Sequence, residues 1–356
     1  MTANLKPHRV IVLALAALWA FPLPLRSQPP DALDAMLRAD VDSGFSGVVL
    51  IAVGDSVILE RAYASPSTHL DTATAFWVGS ITKGFVAAAI LTLQESGRLS
   101  VRDSIPRFFR DVPTDKRDIT LQELLTHTSG IDGHFVAVGI VDRARAIQSI
   151  LAQRLAYAPG AGYQYMNDDY NLLAAVIEIA SGKTYEDYIE SRLLRPADLG
   201  HTGFWGQTSR VNIAPPSGPP DGVPATVWRD GRPRANWGYR GANGMFSTVG
   251  DLYRWLRQRN DAVLSGATRE QLRTPQRFVR SEPPRDIYIG YGARIYTLGS
   301  KRLEVRHLGD AGWVGHNGVA RVLDSGLTVI VLSNSGSHGS GTWSAWVSQQ
   351  MEPLLR

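Results

Sequence analysis

The sequence predicts a discontinuous α/β (α+β) domain carrying a helical insertion. Three observations point there. Strand-like runs gather near both ends of the chain, helical patterns fill the middle, and the first two strand runs are joined by the tight connection Gly54-Asp55. In chain order, Asp34–Asp42 reads as a first helix, followed by β-rich Ser46–Val53 and Ser56–Arg61 as an antiparallel hairpin. Ser80–Ser96 is the clearest helix. Its body, Phe85-Val86-Ala87-Ala88-Ala89-Ile90-Leu91, is apolar nearly all round, which predicts burial, and Gly97 supplies a stop. A short helix is expected at Leu121–Leu125, a strong one at Tyr170–Ser181 before Gly182, and another at Tyr185–Leu194 before Pro196.

Residues 211–236 carry six prolines and read as a long irregular segment of the kind that borders sites. Helix returns at Thr248–Arg257. Tyr288–Ile295, Leu303–His307, Gly318–Leu323 and Leu327–Leu332 then read as strands, and residues 343–354 as a closing helix. The expected division is an α/β part over about 32–105 and 240–356, with a helical part over about 106–239.

The chain has 356 residues, 44% apolar and 20% charged, enough to bury an independent core. Formal net charge is +4, of which Lys6, Arg9 and Arg26 supply three within the first 27 residues. Without them the balance is about +1, and no basic stripe argues for nucleic acid. Residues 1–27 read as an export signal: Lys6, His8 and Arg9 precede an apolar run, Val10–Phe21, that is too short to span a bilayer comfortably. An uncleaved anchor is the other reading of that run. Export to the periplasm or outside the cell is therefore expected, with the cut between Ala20 and Gln28. The chain has no cysteine, which excludes disulfides, thiol nucleophiles and cysteine metal sites.

Ser80-Ile81-Thr82-Lys83 places a hydroxyl and an amine three residues apart at the start of the buried helix. Ser80 is the candidate nucleophile, favoured by the positive helix end. Lys83 is its candidate base, which requires a neutral amine and hence burial or nearby positive charge. Tyr165-Met166-Asn167 forms a second set: a phenolate held by the positive charge of the lysine can share the base role, and the Asn167 amide can orient the lysine and hold a substrate carbonyl. His307-Leu308-Gly309 is a third set, where a strand beside the nucleophile can offer a backbone N–H to an oxyanion hole, with the Ser80 N–H as partner. The histidine is read as binding a carboxylate or supporting proton transfer. Each set has a plainer reading: a capping serine with a solvated lysine, an aromatic residue before a helix, and a surface histidine at a strand end.

Together these sets resemble the serine β-lactamase and penicillin-binding-protein-like superfamily, in its class C and esterase-like branch. The likeness runs over about residues 32–350 and takes in Leu124-Leu125-Thr126-His127-Thr128-Ser129-Gly130-Ile131, Gly241-Ala242-Asn243-Gly244-Met245-Phe246-Ser247-Thr248 and Val329-Ile330-Val331-Leu332-Ser333-Asn334. The resemblance implies a β-lactamase/transpeptidase-like fold: an antiparallel sheet flanked by helices plus an all-helical part, with the site between them. It also implies acyl transfer through a serine ester, then hydrolysis. Met166 stands where the family often has Ser. The third set is His-Leu-Gly rather than Lys-Thr-Gly, which turns the expectation from antibiotics toward ester, amide or D-amino-acid peptide substrates. Gly182-Lys183-Thr184 lacks the following glycine and opens a helix.

No Gly-x-Ser-x-Gly elbow, His-Glu-x-x-His zinc motif or Gly-x-x-x-x-Gly-Lys-Ser/Thr phosphate loop is present, so no metal and no cofactor is expected. The expected function is an exported serine hydrolase acting on a small molecule or peptide. Catalysis falls to Ser80, Lys83 and Tyr165, and substrate binding to Asn167, His307 and Gly309. A non-catalytic or acyl-trapping cell-wall or peptide-binding protein, and a weak class C-like β-lactamase, are the alternatives. Trp228, Trp237 and Tyr239 are read as an aromatic entrance or as core.

Overall fold

The computed structural model describes residues 30–207, 211–216, 228–229, 232–233, 235–338 and 341–351. The export segment and much of the proline-rich stretch lie outside the described residues. Helix α1 (Pro30–Asp42) leads into β1 (Gly47–Val53) and β2 (Ser56–Tyr63), and a turn at Gly79–Ile81 opens α2 (Thr82–Glu95). Four helices follow: α3 (Leu121–Leu125), α4 (Arg143–Leu151), α5 (Asn167–Ser181) and α6 (Tyr185–Ile189). After them come α7 (Val249–Tyr253) and α8 (Gly266–Arg273). Strands β3 (Arg277–Glu282), β4 (Arg285–Ile289), β5 (Arg294–Leu298), β6 (Lys301–Ala311), β7 (His316–Leu323) and β8 (Leu327–Ser333) are followed by α9 (Trp343–Met351).

The eight strands form one antiparallel sheet in the order β2-β1-β8-β7-β6-β5-β4-β3. The first and last strands of the sheet pair with each other, second and third from one edge, from Gly47 opposite Ser333 to Val53 opposite Leu327. Strand β1, Gly-Val-Val-Leu-Ile-Ala-Val, is buried on both faces except at its end, so it lacks polar alternation. Its alternate residues serve two cores. Val49 and Ile51 pack with Leu33, Leu37, Trp343 and Val347 from α1 and α9. Val48, Leu50 and Ala52 join the larger core around α2.

Thr82 through Leu93 are all buried, as the apolar helix body predicts, and Phe85 stacks on Trp255 at 5.1 Å. Lys83 is carried into the interior with them. A three-stranded ribbon of Phe76–Trp77, Met245–Ser247 and Gly203–Phe204 brings the glycine-rich turn before Met245 onto the start of α2.

Several elements depart from the sequence reading. The single strand expected at Tyr288–Ile295 is two strands, because Gly290–Ala293 makes a turn closed by Gly290 N–H donating to Ala293 O at 2.8 Å. Gly292 there has φ +76°, and a Cβ on it would sit 2.6 Å from Lys83 O, so only glycine lets the turn pack on α2. Strand β6 runs on to Ala311 rather than ending at His307. Helices α6 and α7 continue as π-helical turns at Glu190–Leu194 and Arg254–Arg259. Helices α4 and α8, rich in polar residues, were not anticipated. Among the described residues no helix is long and apolar enough to cross a membrane.

Candidate active site

Ser80 lies in the tight turn Gly79–Ile81 that leads into α2. Two close approaches hold this turn against β6. Gly79 has φ +51°, and a Cβ there would lie 2.6 Å from Asp310 N; a Cβ on Gly309 would lie 1.9 Å from Val78 O. Gly309 therefore serves by having no side chain, since it lets the strand backbone run beside the nucleophile. Thr82 Oγ1 accepts from Met245 N at 3.3 Å, which anchors the helix start to the ribbon.

One turn along the helix, Lys83 Nζ reaches three acceptors: Ser80 Oγ at 2.8 Å, Asn167 Oδ1 at 2.7 Å and Ala242 O at 2.9 Å. Asn167 opens α5, so the base is gripped between two helices and the glycine-rich turn. Lys83 is 2% exposed. Desolvation holds its amine well below the usual lysine range, against the opposing pull of the Asp169 carboxyl.

Two of these acceptors, an amide oxygen and a backbone carbonyl, can only accept. A neutral Lys83 amine has two N–H groups and one lone pair. The N–H groups must go to Asn167 and Ala242, and the lone pair then faces Ser80 Oγ. That is the geometry of a general base on its nucleophile.

Tyr165 OH donates to Ser80 Oγ at 2.7 Å. Tyr165 keeps 37% of its surface exposed at the cleft, and desolvation of its hydroxyl pushes the phenol up to about 12, with the bond to Ser80 pulling the other way. At neutral pH it is therefore a proton donor rather than a phenolate. Its ring lies 4.5 Å from the His127 ring, and Lys83 Nζ sits 5.0 Å from the Tyr165 ring centroid. Buried His127 accepts from Met166 N at 3.2 Å through Nδ1. Desolvation, helped by the Lys83 charge, keeps the imidazole well below its ordinary pKa. Met166, the position that departs from the family's usual Ser, contributes only its backbone to this bond and is itself buried.

The structure thus brings Ser80, Lys83, Tyr165 and Asn167 into bonding contact and runs Gly309 alongside. It places His307 elsewhere. Arg306 and Leu308 line the cleft, while His307 between them points the other way along the alternating strand. Its ring rests on Gly84 and lines a separate cavity of about 50 Å³ with Trp255 and Tyr291. Burial pushes its pKa down to about 4. The expectation that this ring faces substrate, and its plainer reading as a surface residue, are both corrected by that placement.

Three contributors were missed in the sequence. Asn243 Oδ1 accepts from Ser80 Oγ at 3.0 Å; the only hint was an Asn inside a glycine-rich turn. His134 Nε2 lies 3.1 Å from Asn167 Nδ2. Because Asn167 presents its oxygen to Lys83, its nitrogen must donate, and His134 accepts as a neutral ring. Burial pushes that ring down, against the pull of Asp168. Arg294, opposite Arg306 on β5, lines the cleft and makes no ion pair among the described residues. Arg306 is held by Glu304 at 2.6 Å and lies over Tyr296.

The cleft encloses about 600 Å³, room for a small molecule or short peptide. Tyr239 lines it beside Phe135 at 5.0 Å, whereas Trp237 is buried and stacks on Arg240. The side chain of Trp228 lies outside the described residues. Among the described residues no cluster of three metal-ligating side chains is present.

A family model described as Beta-lactamase matches residues 33–342. The putative penicillin-binding protein PbpX of Bacillus subtilis (strain 168) is 35% identical over 166 residues, which is 46% of this chain and 42% of that protein. The match thus spans less than half of that relative's length. Penicillin-binding protein 4* of the same organism is 28% identical over 320 residues, 82% of this chain and 68% of that one. Among solved structures, the octameric penicillin-binding protein homologue from Pyrococcus abyssi is similar with a TM-score of 0.74 at 24% identity, over 91% of this chain and 76% of that one. The D-amino acid amidase from Ochrobactrum anthropi SV3 gives 0.72 at 23% identity, over 91% and 97%. At these identities the structural likenesses speak to the fold.

Proposed function

The chain belongs to the beta-lactamase family, and from that premise we propose that it is an exported serine hydrolase working through an acyl-enzyme on Ser80. The observation that carries this reading is the Lys83 amine, whose two carbonyl acceptors leave its lone pair for Ser80 Oγ. Ser80 Oγ attacks the substrate carbonyl carbon and its proton passes to Lys83. Two backbone N–H groups, from Ser80 and from β6 at Asp310, are the proposed partners of the resulting oxyanion. Tyr165 gives its proton to the leaving nitrogen or oxygen as that bond breaks, and the Lys83 ammonium, whose Nζ lies 5.0 Å from the Tyr165 ring centroid, restores the phenol proton. Water then attacks the Ser80 ester, giving a proton to the same pair, and Oγ leaves reprotonated.

The substrate class follows from the charge of the cleft. Arg306 shares the Glu304 carboxylate with Arg321, whereas Arg294 faces the cleft with no ion pair among the described residues. A carboxylate on the substrate would complete it. This favours an acylated amino acid, or a peptide ending in one, over a neutral ester, and hydrolysis of an amide or ester bond in it; the D configuration is carried over from the family resemblance. The His-Leu-Gly set supports the same choice over β-lactams. Export rests on the basic start and apolar run of residues 6–21, outside the described residues.

The test is hydrolysis of a short-chain p-nitrophenyl ester, an N-acyl D-amino acid with a free carboxylate and a chromogenic cephalosporin, with Ser80→Ala beside the parent protein. The reading expects ester and amide turnover that disappears in Ser80→Ala, with little cephalosporin cleavage. Labelling without turnover would instead make the protein an acyl-trapping binder, and cephalosporin cleavage exceeding the others would make it a β-lactamase.

A further inference from the structure

With Lys83 as ammonium, Ser80 Oγ receives two hydrogen bonds, from Lys83 Nζ at 2.8 Å and from Tyr165 OH at 2.7 Å. A hydroxyl oxygen has two lone pairs, so both are taken. Its own hydrogen goes to one place, Asn243 Oδ1, at 3.0 Å. Asn243 is 5% exposed, and its turn is fixed by Asn243 N donating to Tyr239 O at 2.8 Å. The neighbouring Ala242 O is one of the acceptors of Lys83. A single turn therefore holds a proton of the nucleophile and a proton of the base.

We propose that Asn243 is a catalytic residue that holds the Ser80 hydroxyl proton in the resting enzyme and competes with Lys83 for it. This rests on the acyl-enzyme reading above. Two arrangements alternate. With Lys83 as ammonium, all three of its N–H groups are donated, Ser80 accepts, and the serine hydrogen lies on Asn243. With Lys83 neutral, its lone pair faces Ser80, and the serine hydrogen must swing from Asn243 to Lys83 before attack. Asn243 thus stabilises the ammonium arrangement and leaves the reactive one without that bond.

The consequence is a shift in pH dependence. Other ionisable groups surround the site: Tyr165 from the segment before α5, Asp169 and Tyr170 from α5, His127 and His134 from the loop after α3, and Arg294, Arg306 and Asp310 on the cleft wall from β5 and β6. These stay in place when Asn243 alone is changed. Asn243→Leu removes the acceptor, fills a similar volume and excludes water. The ammonium arrangement then leaves the serine hydrogen unpaired, protonation becomes harder, and the acidic limb of kcat/KM moves down. One neutral hydrogen bond corresponds to a shift of about half to one pH unit. Asn243→Asp keeps an acceptor and adds negative charge, so its limb moves up.

The experiment is kcat/KM for p-nitrophenyl acetate from pH 4 to 9 on the full chain, for the parent, both variants and Ser80→Ala, with melting curves as the folding check. Opposite shifts of the two limbs support the role. A limb in folded Asn243→Leu that stays put or rises overturns it, as does an unmoved limb in Asn243→Asp should the Leu variant fail to fold. In either case an inactive Ser80→Ala leaves the acyl-enzyme reading standing. Ester turnover that persists in Ser80→Ala removes that reading, and the role of Asn243 with it.

Discussion

Two buried polar networks lie within one molecule, and they are built to opposite ends. Around Glu304, a carboxylate sits between two guanidiniums: Arg306 bonds it at 2.6 and 2.9 Å, and Arg321 at 2.8 and 3.1 Å. Around Lys83, the amine meets only neutral oxygens. Both residues are almost fully enclosed, at 3% and 2% exposure. Burial pushes the Glu304 carboxyl up, but the two arginines outweigh it and hold it below the usual range. At Lys83 desolvation wins over the weaker pull of Asp169. The first network locks a charge in place, while the second leaves an amine ready to lose one. Burial alone does not make a site; burial with every hydrogen bond satisfied and no counter-charge in bonding reach does.

The contrast can be broken by exchanging the consequences of mutation. Lys83→Ala should leave melting little changed and lower ester turnover by about a thousandfold to ten-thousandfold, the scale seen when a nucleophile loses its base. Steady-state kinetics beside thermal melting would check this. Glu304→Ala should do the reverse. Two guanidiniums left without their carboxylate cost about 3–5 kcal/mol of stability, read as a lower urea midpoint, with the pH profile of the folded fraction unmoved. Because its folded pKa is depressed, Glu304 contributes stability that is fully present above the unfolded carboxyl value of about 4.3. That contribution is lost as pH falls through the folded value. The gap in urea midpoint between parent and Glu304→Gln should therefore be full at pH 7 and narrow as the pH is lowered below the unfolded carboxyl value. The smallest effect sharpens the comparison at the cleft wall. Arg294→Ala should raise KM about tenfold to a hundredfold for an acylated D-amino acid, and far less for a neutral ester, as loss of one charge-assisted bond predicts.

Much of this site was legible in the sequence where the chemistry is local. Ser80 and Lys83 share a helix face, and the apolar body after them signals the burial that lowers the amine. Tyr165 and Asn167 flank the start of α5, a position the polar-to-apolar change marks. What could not be read depends on contacts between distant segments. Asn243 reaches Ser80 across 163 residues, and nothing in the glycine-rich turn says which side chain it offers to whom. Arg294 is one arginine among many until β5 and β6 pair it opposite Arg306. His307 was placed in the right strand and on the wrong face, because the reading ended the strand at that residue and so left open which way its side chain alternates. The broad architecture, strands at both ends around a helical middle, followed from patterning. The split of Tyr288–Ile295 did not, since Gly290 and Gly292 were not weighed against the apolar run around them.

The most direct test of the central claim, that a neutral Lys83 activates Ser80, is the labelling rate of the protein by a fluorophosphonate, with the adduct mapped by peptide mass spectrometry. One adduct is expected, on the peptide holding Ser80, formed about a thousandfold more slowly in Lys83→Ala. An adduct on another residue, or an equal rate in Lys83→Ala, would contradict it.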